Sequence, residues 1–505
     1  MVGNRDGCGV NGAVTKVTDA VACLCHETGI RRRLILRCGR RGSGALYRKV
    51  EAQMKFFPFD GDLKTVDYLD FMMLDIYGSI RSVTIPKGYI SEKLLQEGIG
   101  FDASNYGFAD VKKSDMVAIP DMSTAFAEQR PDGVILHALC NVRAMDGSVF
   151  VDYPRNIVAD TVALYRKKGI ADEVRVLMEL EFHVLEDVNY ATDYAHAYFR
   201  VQSAEGIGPD YYDLPRFNIH RGYHRSYPDD RYFDLRNKMV EALAAIGIPV
   251  KYHHHEVGAA QLELEFDFLP AAEAADKVAI AKWVIRNIAK ENGVFITFMP
   301  KPINKTPGNG LHVHQFLEKG GVSLFPGDDL FGLSPTALHY TAGLLAHSLS
   351  GSLLAFSNPS TNSFKRLVPG YEAPVCATLA KASREASVRV PGYLKKGEER
   401  IEYRTGDASA NCHFMLAAMM LAGLDGIERK FDPKEKGYTD ATQSEAKRFP
   451  LNLHAVLDGL ESDHAYLSPI FSEDLIQLWI SIKRNEASHV YHAPTPEEYE
   501  LYFNC

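Results

Sequence analysis

The sequence predicts an α+β protein in which a small sheet-rich domain precedes a larger domain of sheet and helices. Residues 57–148 alternate short apolar segments with turn signals, a pattern typical of a domain built from strands. After about residue 150, helical patterns alternate with strand-like segments that carry charged side chains. We therefore divide the chain into a basic extension over 1–54, a sheet domain over 55–148 and a larger domain over 149–505.

The composition indicates a soluble globular protein. The chain has 505 residues, of which 46% are hydrophobic and 24% charged, and a formal net charge of −9. This charge, without a concentrated basic face in the body of the chain, argues against nucleic acid as the main partner. The longest apolar run, 414–424, is too short to cross a bilayer. We therefore expect a cytoplasmic protein with no nucleic-acid or membrane partner.

The first 54 residues differ in character from the rest. They are rich in arginine and glycine and lack an apolar period. Gly7, Gly9 and Gly12 form a GxGxxG pattern, but no strand can precede it so near the first residue, so we reject a nucleotide-binding interpretation. We expect either a disordered extension or a mis-assigned start, with Met54 as a plausible true start.

In the larger domain, four strand-like segments concentrate acidic, imidazole and guanidinium side chains on one face. In the first, 174–185, Glu179, Glu181 and His183 alternate with apolar residues and therefore share a face. The other three segments, with the side chains that share their polar faces, are 261–269 (Gln261, Glu263, Glu265, Asp267), 310–316 (His312, His314) and 400–404 (Arg400, Glu402, Arg404). Helical patterns cover 231–246, 271–291, 414–430 and 450–483.

These polar faces predict a site for two divalent cations. Several carboxylates on one inward face would repel one another unless cations neutralised them. Oxygen ligands with a minority of imidazoles suit Mg²⁺ or Mn²⁺ better than a thiolate-rich zinc site. An ordinary half-exposed antiparallel sheet is the alternative for any single segment, but solvated faces usually mix in Lys, Thr, Ser and Gln.

Together, the motifs resemble those of type I glutamine synthetases. The resemblance covers roughly residues 67–505 and follows the family's order and spacing. The segments that carry it are 100–121, 179–182, 254–263, 308–314, 362–375, 384–391, 400–404 and 494–502.

The resemblance implies a small β-grasp domain followed by a catalytic domain with a curved antiparallel sheet flanked by helices. It also implies two or more Mg²⁺ or Mn²⁺ ions per active site, with ATP as co-substrate. Carried over by position, one ion takes Glu181, Glu256 and Glu263, and the other takes Glu179, His312 and Glu402.

The implied reaction joins ammonia to the γ-carboxylate of glutamate through γ-glutamyl phosphate and gives glutamine. Arg389 would stabilise the transferring phosphoryl group, and His314 and Arg384 would join it in binding ATP. The resemblance assigns Gly308, Arg366 and Arg404 to the amino-acid substrate.

Two further carboxylates would act on the nitrogen donor. Glu372 would close the site and accept a proton from the attacking nitrogen, and Asp102 would attract ammonium. In the family this aspartate comes from a neighbouring subunit. The resemblance thus implies a homo-oligomer, typically a dodecamer of two stacked hexamers with active sites between subunits.

The sequence departs from the family pattern near the substrate pockets. Pro307 replaces the Asn that binds glutamate, Asn309 and Asn105 replace serines, Phe316 replaces a Ser associated with the nucleotide, and 411–414 reads NCHF instead of NPYL. One alternative is therefore a γ-glutamyl-amine ligase that uses an organic amine or polyamine. A second is a non-catalytic structural relative, which predicts eroded metal ligands, whereas all six are present.

Overall fold

A computed structural model of the protein describes residues 54–108, 114–208, 221–371, 373–439 and 445–505. The predicted basic extension lies outside the described residues apart from Met54, and so does Glu372. In the described part of the chain, no helix has both the length and the apolar character needed to cross a membrane.

The first sheet has seven strands. They are β1 (Lys55–Pro58), β2 (Tyr68–Leu74), β3 (Ile80–Pro86), β4 (Ile99–Asp102), β5 (Asp115–Pro120), β6 (Phe126–Arg130) and β7 (Gly133–Ala144). Five follow the order β1-β6-β7-β2-β3, and β5 joins β7 to β4. β2 and β7 run parallel, and the other pairs are antiparallel. A short helix, α1 (Glu92–Glu97), follows β3.

The second sheet has ten strands, with β8 (Glu173–Leu185) at its centre. The others are β11 (Val250–His255), β12 (Gln261–Phe266), β13 (Leu269–Pro270), β14 (Phe295–Thr297), β15 (Leu311–Lys319), β16 (Val322–Ser323), β17 (Leu379–Lys381), β18 (Val388–Val390) and β19 (Ile401–Tyr403). The main order is β11-β12-β8-β15-β19-β18-β17. One pair departs from the expected antiparallel arrangement, because β17 and β18 run parallel. A separate hairpin joins β9 (Asp187–Thr192) to β10 (Ala197–Gln202).

Helices complete the second part of the chain and confirm the α+β class. They are α2 (Pro154–Lys167), α3 (Phe233–Ala245), α4 (Ala271–Glu291), α5 (Pro335–Ser350), α6 (Leu354–Ser357), α7 (Ser363–Arg366), α8 (Cys412–Glu428), α9 (Leu453–Ser462), α10 (Glu473–Tyr491) and α11 (Pro496–Tyr502). The helical pattern predicted over 450–483 is two helices, because the segment 463–472, which contains Pro469, separates α9 from α10.

The core lies between the second sheet and the helices. α8 buries nearly all of its side chains, because its sequence is apolar on every face. It packs closely against α5, where a Cβ on Gly343 would lie only 2.1 Å from the Ala422 carbonyl oxygen. Glycine therefore allows the two helix backbones to touch.

Arg155 joins the first sheet to the helices of the second part. Its Nη2 donates to Asp121 Oδ2 and to Asp276 Oδ2, each at 2.8 Å, and its Nη1 donates to Asn141 Oδ1 at 2.8 Å. His413, one of the departures from the family pattern, contacts the same Asp276 at 2.9 Å. That substitution therefore falls in the contact between domains and not in the substrate pockets.

Candidate active site

A cavity of about 590 Å³ opens over the polar face of β8, β12 and β15. Ten of the side chains and glycines singled out from the sequence line it: Glu179, Glu181, Glu256, Glu263, Gly308, His312, Arg366, Arg384, Arg389 and Arg404. One wall is thus acidic and another is basic. This arrangement can hold cations beside the anionic groups of a substrate.

The strand register brings the acidic and imidazole side chains together. Glu263 on β12 lies directly opposite Glu181 on β8, and His254 on β11 lies opposite Glu263. On the other side of β8, His312 of β15 lies opposite Glu179. Directly opposed residues have Cβ atoms about 5 Å apart, so residues far apart in sequence become neighbours.

Glu179, His312 and Glu402 form the first cluster, with one possible ligand atom from each within 4.8 Å of the others. His312 Nδ1 donates to Glu179 Oε2 at 2.8 Å, and His314 Nε2 donates to Glu179 Oε1 at 2.9 Å. Burial opposes ionisation of Glu179, but these two imidazoles outweigh it and hold the pKa of Glu179 well below its usual range. The cluster therefore carries a charged carboxylate suited to a cation.

His254, Glu256 and Glu263 form the second cluster at the same spacing. His254 Nε2 lies 3.4 Å from Glu263 Oε1. Burial, with repulsion from Glu263 and Glu181, raises the pKa of Glu256 well above the usual range. Burial, with repulsion from Glu179 and Glu181, does the same for the pKa of Glu263. Protein groups alone do not compensate these buried charges, whereas a divalent cation would. The donor set therefore fits a bound metal.

Glu181 faces both clusters but lies outside the tight group that Glu256 and Glu263 form with His254. Its Oε2 accepts hydrogen bonds from Gln261 Nε2 and from the Gly310 amide, both at 2.9 Å. Its Oε1 lies 3.6 Å from His312 Nε2. Glu181 therefore lies between the two clusters, although the resemblance assigns it to the same ion as Glu256 and Glu263.

Three of the predicted substrate arginines contact a predicted metal ligand. Arg389 Nε and Arg404 Nη1 each donate to Glu402 at 2.5 Å. Burial opposes ionisation of Glu402, but the charge of Arg404 is the main influence that lowers its pKa. Arg366 is also buried and donates to His312 Nε2 at 3.3 Å. Arg384 is exposed and donates to the Tyr223 hydroxyl at 3.3 Å.

Two glycines give the cavity its shape. A Cβ on Gly310 would lie 2.7 Å from both Arg366 Nη2 and His312 Nε2, and 2.9 Å from Glu181 Oε1. A Cβ on Gly308 would lie 2.3 Å from the Pro300 carbonyl oxygen. Either side chain would displace groups that define the site.

Among the described residues, three of the predicted ones do not line this cavity: Glu402, which is fully buried, His314 and Asp102. His314 is buried between Glu179 and Arg400, whose Nε donates to His314 Nδ1 at 3.4 Å. Asp102 is exposed on the first domain, where its side chain accepts from the Ser104 amide at 2.9 Å. Hydrogen bonds from Ser114 and then Ser104 lower the pKa of Asp102, so the side chain is a carboxylate at neutral pH. Glu372 lies outside the described residues.

The departures from the family pattern have different environments. Pro307 lines the cavity and offers neither an amide side chain nor a backbone N–H. Asn309 is buried instead, with its Oδ1 accepting from His183 Nδ1 at 2.8 Å and its Nδ2 donating to the Met299 carbonyl at 2.9 Å. Asn105 is exposed, and the Phe316 ring packs against Phe268 with centroids 5.2 Å apart.

Sequence reasoning missed some residues of the site. His254 belongs to the second cluster, and its two-residue spacing from Glu256 could have revealed it, because both lie on the same face of the chain. Tyr223, Tyr252, Tyr371 and Tyr393 also line the cavity. They come from separate segments, and no sequence pattern signals that they meet.

Two family models match the chain. One is described as the glutamine synthetase β-grasp domain and matches residues 65–145. The other is described as the glutamine synthetase catalytic domain and matches residues 152–502. Together they confirm a β-grasp domain followed by a larger α+β domain.

Known proteins extend this match over most of the chain. A glutamine synthetase from Nostoc sp. is 36% identical over 463 residues, covering 87% of this chain and 97% of the relative. One from Vibrio alginolyticus is 35% identical over 457 residues, with the same coverage. Among solved structures, glutamine synthetase of Plasmodium falciparum superposes with a TM-score of 0.80 at 27% identity, covering 88% of this chain and 97% of its own. The structure of GmaS without ligand superposes with a TM-score of 0.72 at 26% identity, covering 87% of this chain and 97% of its own.

Proposed function

The chain belongs to the glutamine synthetase family of ATP-dependent ligases that act on glutamate, and we propose that it joins ammonia to the γ-carboxylate of L-glutamate. ATP first phosphorylates that carboxylate, giving γ-glutamyl phosphate and ADP. Ammonia then attacks the acyl carbon and releases phosphate, giving glutamine. The observation that carries this proposal is the pair of carboxylate–imidazole clusters beside four arginines in one cavity.

We assign the clusters to Mg²⁺ or Mn²⁺, with Glu179, His312 and Glu402 at one ion and Glu181, Glu256 and Glu263 at the other. The contact between His254 and Glu263 makes His254 a neighbour of the second set. Bound divalent cations would neutralise ATP phosphates and offset the charge that develops during phosphoryl transfer.

The arginines divide between the two substrates. Arg389 stabilises the transferring phosphoryl group, because a guanidinium fork matches phosphate oxygens. Arg384, at the exposed side of the cavity, and His314 contribute with it to ATP binding. Arg366 and Arg404 hold the carboxylates of glutamate, and Gly308 leaves room for the substrate beside Arg366.

Two carboxylates complete the second step. Asp102 attracts ammonium and promotes its deprotonation, and Glu372 accepts a proton from the attacking nitrogen. Because Asp102 is exposed and does not line its own chain's cavity, we propose that it serves a neighbouring subunit. The assembly is then a homo-oligomer, a dodecamer of two hexameric rings, and we place it in the cytoplasm.

Phosphate release from ATP with glutamate and Mg²⁺ tests the proposal. The nitrogen donors compared are ammonium, methylamine, ethanolamine and putrescine, and the products are identified by mass spectrometry. Glutamine formed only with ammonium supports the proposal. Glu181→Ala is the matched inactive control, because it removes a predicted metal ligand, and near wild-type turnover in that variant would contradict the metal assignment.

A γ-glutamyl-amine ligase is the second candidate. Pro307 in the cavity wall and Asn105 near Asp102 are the departures that favour it. In the same assay, a preference for an organic amine or polyamine would establish this function. Phosphate release with none of the donors would instead favour a non-catalytic structural relative.

A further inference from the structure

We propose that Glu205, a buried carboxylate outside the cavity, is a positioning residue for the metal ligands Glu256 and Glu263. The inference rests on the proposed function, because it takes these two glutamates to bind a cation. Glu205 does not line the cavity, and only 1% of its surface is exposed. It therefore acts through the turn between β11 and β12, which carries Glu256 and leads into Glu263 on β12.

Glu205 contacts both ends of this turn. One of its oxygens, Oε2, accepts from His255 Nε2 at 2.9 Å and from the Ala260 amide at 2.5 Å. His255 directly precedes Glu256, and Ala260 lies three residues before Glu263. A single carboxylate thus holds the end of β11 to the start of β12.

Each of the two contacts fixes a group that would otherwise be free to move. His255 donates its second ring nitrogen, Nδ1, to the Glu256 carbonyl at 2.6 Å, so the imidazole connects Glu205 to the backbone of the ligand. Ala260 has a φ of 64°, in the left-handed region that is unfavourable for a residue with a side chain. The charged acceptor stabilises this conformation through the Ala260 amide.

The backbone next to Glu205 has hydrogen bonds of its own, which do not involve the Glu205 carboxylate. The neighbouring Ala204 amide donates to Glu186 Oε2 at 2.8 Å, and the Tyr232 hydroxyl donates to Glu186 Oε1 at 2.9 Å. On the far side of the turn, the Gly222 amide donates to the Val257 carbonyl at 3.0 Å. Groups that hydrogen-bond to the surroundings of a metal ligand, as Glu205 does, orient that ligand. Their loss typically lowers metal affinity about 10–100-fold.

Glu186 provides a matched control. It is a carboxylate just before the β9–β10 hairpin, whereas Glu205 follows that hairpin, and it makes contacts of similar length. It bonds to Ala204 and Tyr232 and, among the described residues, to none of 255–263. A general loosening of this region would follow from either substitution. Only loss of Glu205 removes the connection to the metal ligands.

Binding of Mn²⁺ to the full-length chain tests the proposal without an activity assay. Binding is measured as the loss of the electron paramagnetic resonance signal of free Mn²⁺. Glu263→Gln first identifies which of the two Mn²⁺ sites contains Glu256 and Glu263. Glu205→Ala is then expected to raise the dissociation constant of that site about 10–100-fold. The other site should change less than threefold, and Glu186→Ala should change neither.

A wild-type affinity in Glu205→Ala, equal weakening of both sites, or the same effect from Glu186→Ala would overturn the proposal. If Glu205→Ala does not fold, Glu205→Gln is compared with Glu186→Gln. Glutamine keeps a neutral acceptor, so Glu205→Gln should weaken the same site by less than alanine would but by more than Glu186→Gln does. Equal affinities in Glu205→Gln and Glu186→Gln would overturn the proposal. Wild-type protein that binds fewer than two Mn²⁺ would instead refute the proposed metal assignment.

Discussion

Glu181 and Glu263 lie directly opposite one another on neighbouring antiparallel strands, and both carboxylates are nearly inaccessible to solvent. Two like charges held this close inside a protein repel each other. The metal-free chain therefore contains an unfavourable contact between two carboxylates in the region where the proposed cation binds.

We predict that Glu263→Gln stabilises the metal-free protein while it weakens metal binding. Removing one charge relieves repulsion that we expect to be worth about 1 kcal/mol or more. Thermal melting in EDTA should show a higher melting temperature than for the wild type, and Mg²⁺ should raise it less. A lower melting temperature in EDTA would mean that the carboxylates stabilise each other through a shared proton.

We predict that Arg389→Ala lowers kcat on the order of 10³-fold, because an arginine that faces a transferring phosphoryl group contributes about that much or more. Steady-state phosphate release measures the change. Arg175→Ala is the control, since Arg175 on β8 pairs with Glu318 on β15, elsewhere in the same sheet. An equal loss in both variants would place the effect in the sheet and not in phosphoryl transfer.

We predict that Gly310→Ala lowers kcat/KM about 100-fold without unfolding the protein, because the added methyl group displaces Arg366 and His312 by a fraction of an ångström or more. Circular dichroism checks the fold. Gly88→Ala, where nothing lies within 4 Å of the added Cβ, should be neutral. Full activity in Gly310→Ala would contradict the proposed role of these two side chains.

Stability should fall as the pH rises above neutrality because of His137. This imidazole is buried between Asp70 and Glu128, at 3.2 and 3.0 Å. Burial lowers its pKa, but the hydrogen bonds to the two carboxylates outweigh burial and raise the pKa above the ordinary value.

Because the pKa of His137 is raised in the folded state, its contribution to the free energy of unfolding is complete below about pH 6.5. This contribution is lost as the pH rises through the pKa of His137 in the folded protein. Unfolding in urea between pH 6 and 9 measures this loss. His137→Gln should be less stable near pH 6 and should show a smaller decline. Parallel declines in both proteins would assign the pH dependence to other groups.

We predict that Pro307→Asn lowers KM for glutamate about tenfold, because the amide can donate to a charged carboxylate and such a bond is worth about 1.5–3 kcal/mol. Initial rates at varied glutamate concentration measure the effect. An unchanged KM would show that the substrate does not approach position 307.

The sequence predicts which acidic and imidazole side chains share a face, because alternation along a strand determines this. Glu179 and Glu181 are an example, since both line the cavity as their parity indicates. His254 was missed because its role depends on register, which pairs it with Glu263. Parity within one strand does not determine how that strand pairs with its neighbours.

Other features depend on contacts that no local pattern encodes. Asn309 was expected to alter the substrate pocket, yet it is buried and bonds to His183 and Met299. The α+β class follows from apolar periods that span whole elements, but the parallel pairing of β17 and β18 does not. These strands have three residues each, too few for a period to be recognised.

The alignment of Glu179, Glu181, Glu263 and His312 across three strands constrains how this gene can change during evolution. Inserting or deleting one codon within β8, β12 or β15 would rotate every later side chain of that strand to the opposite face. The encoded composition would hardly differ, yet the ligands would point into the core. Length variation among descendants of this gene should therefore accumulate between these strands and be eliminated within them.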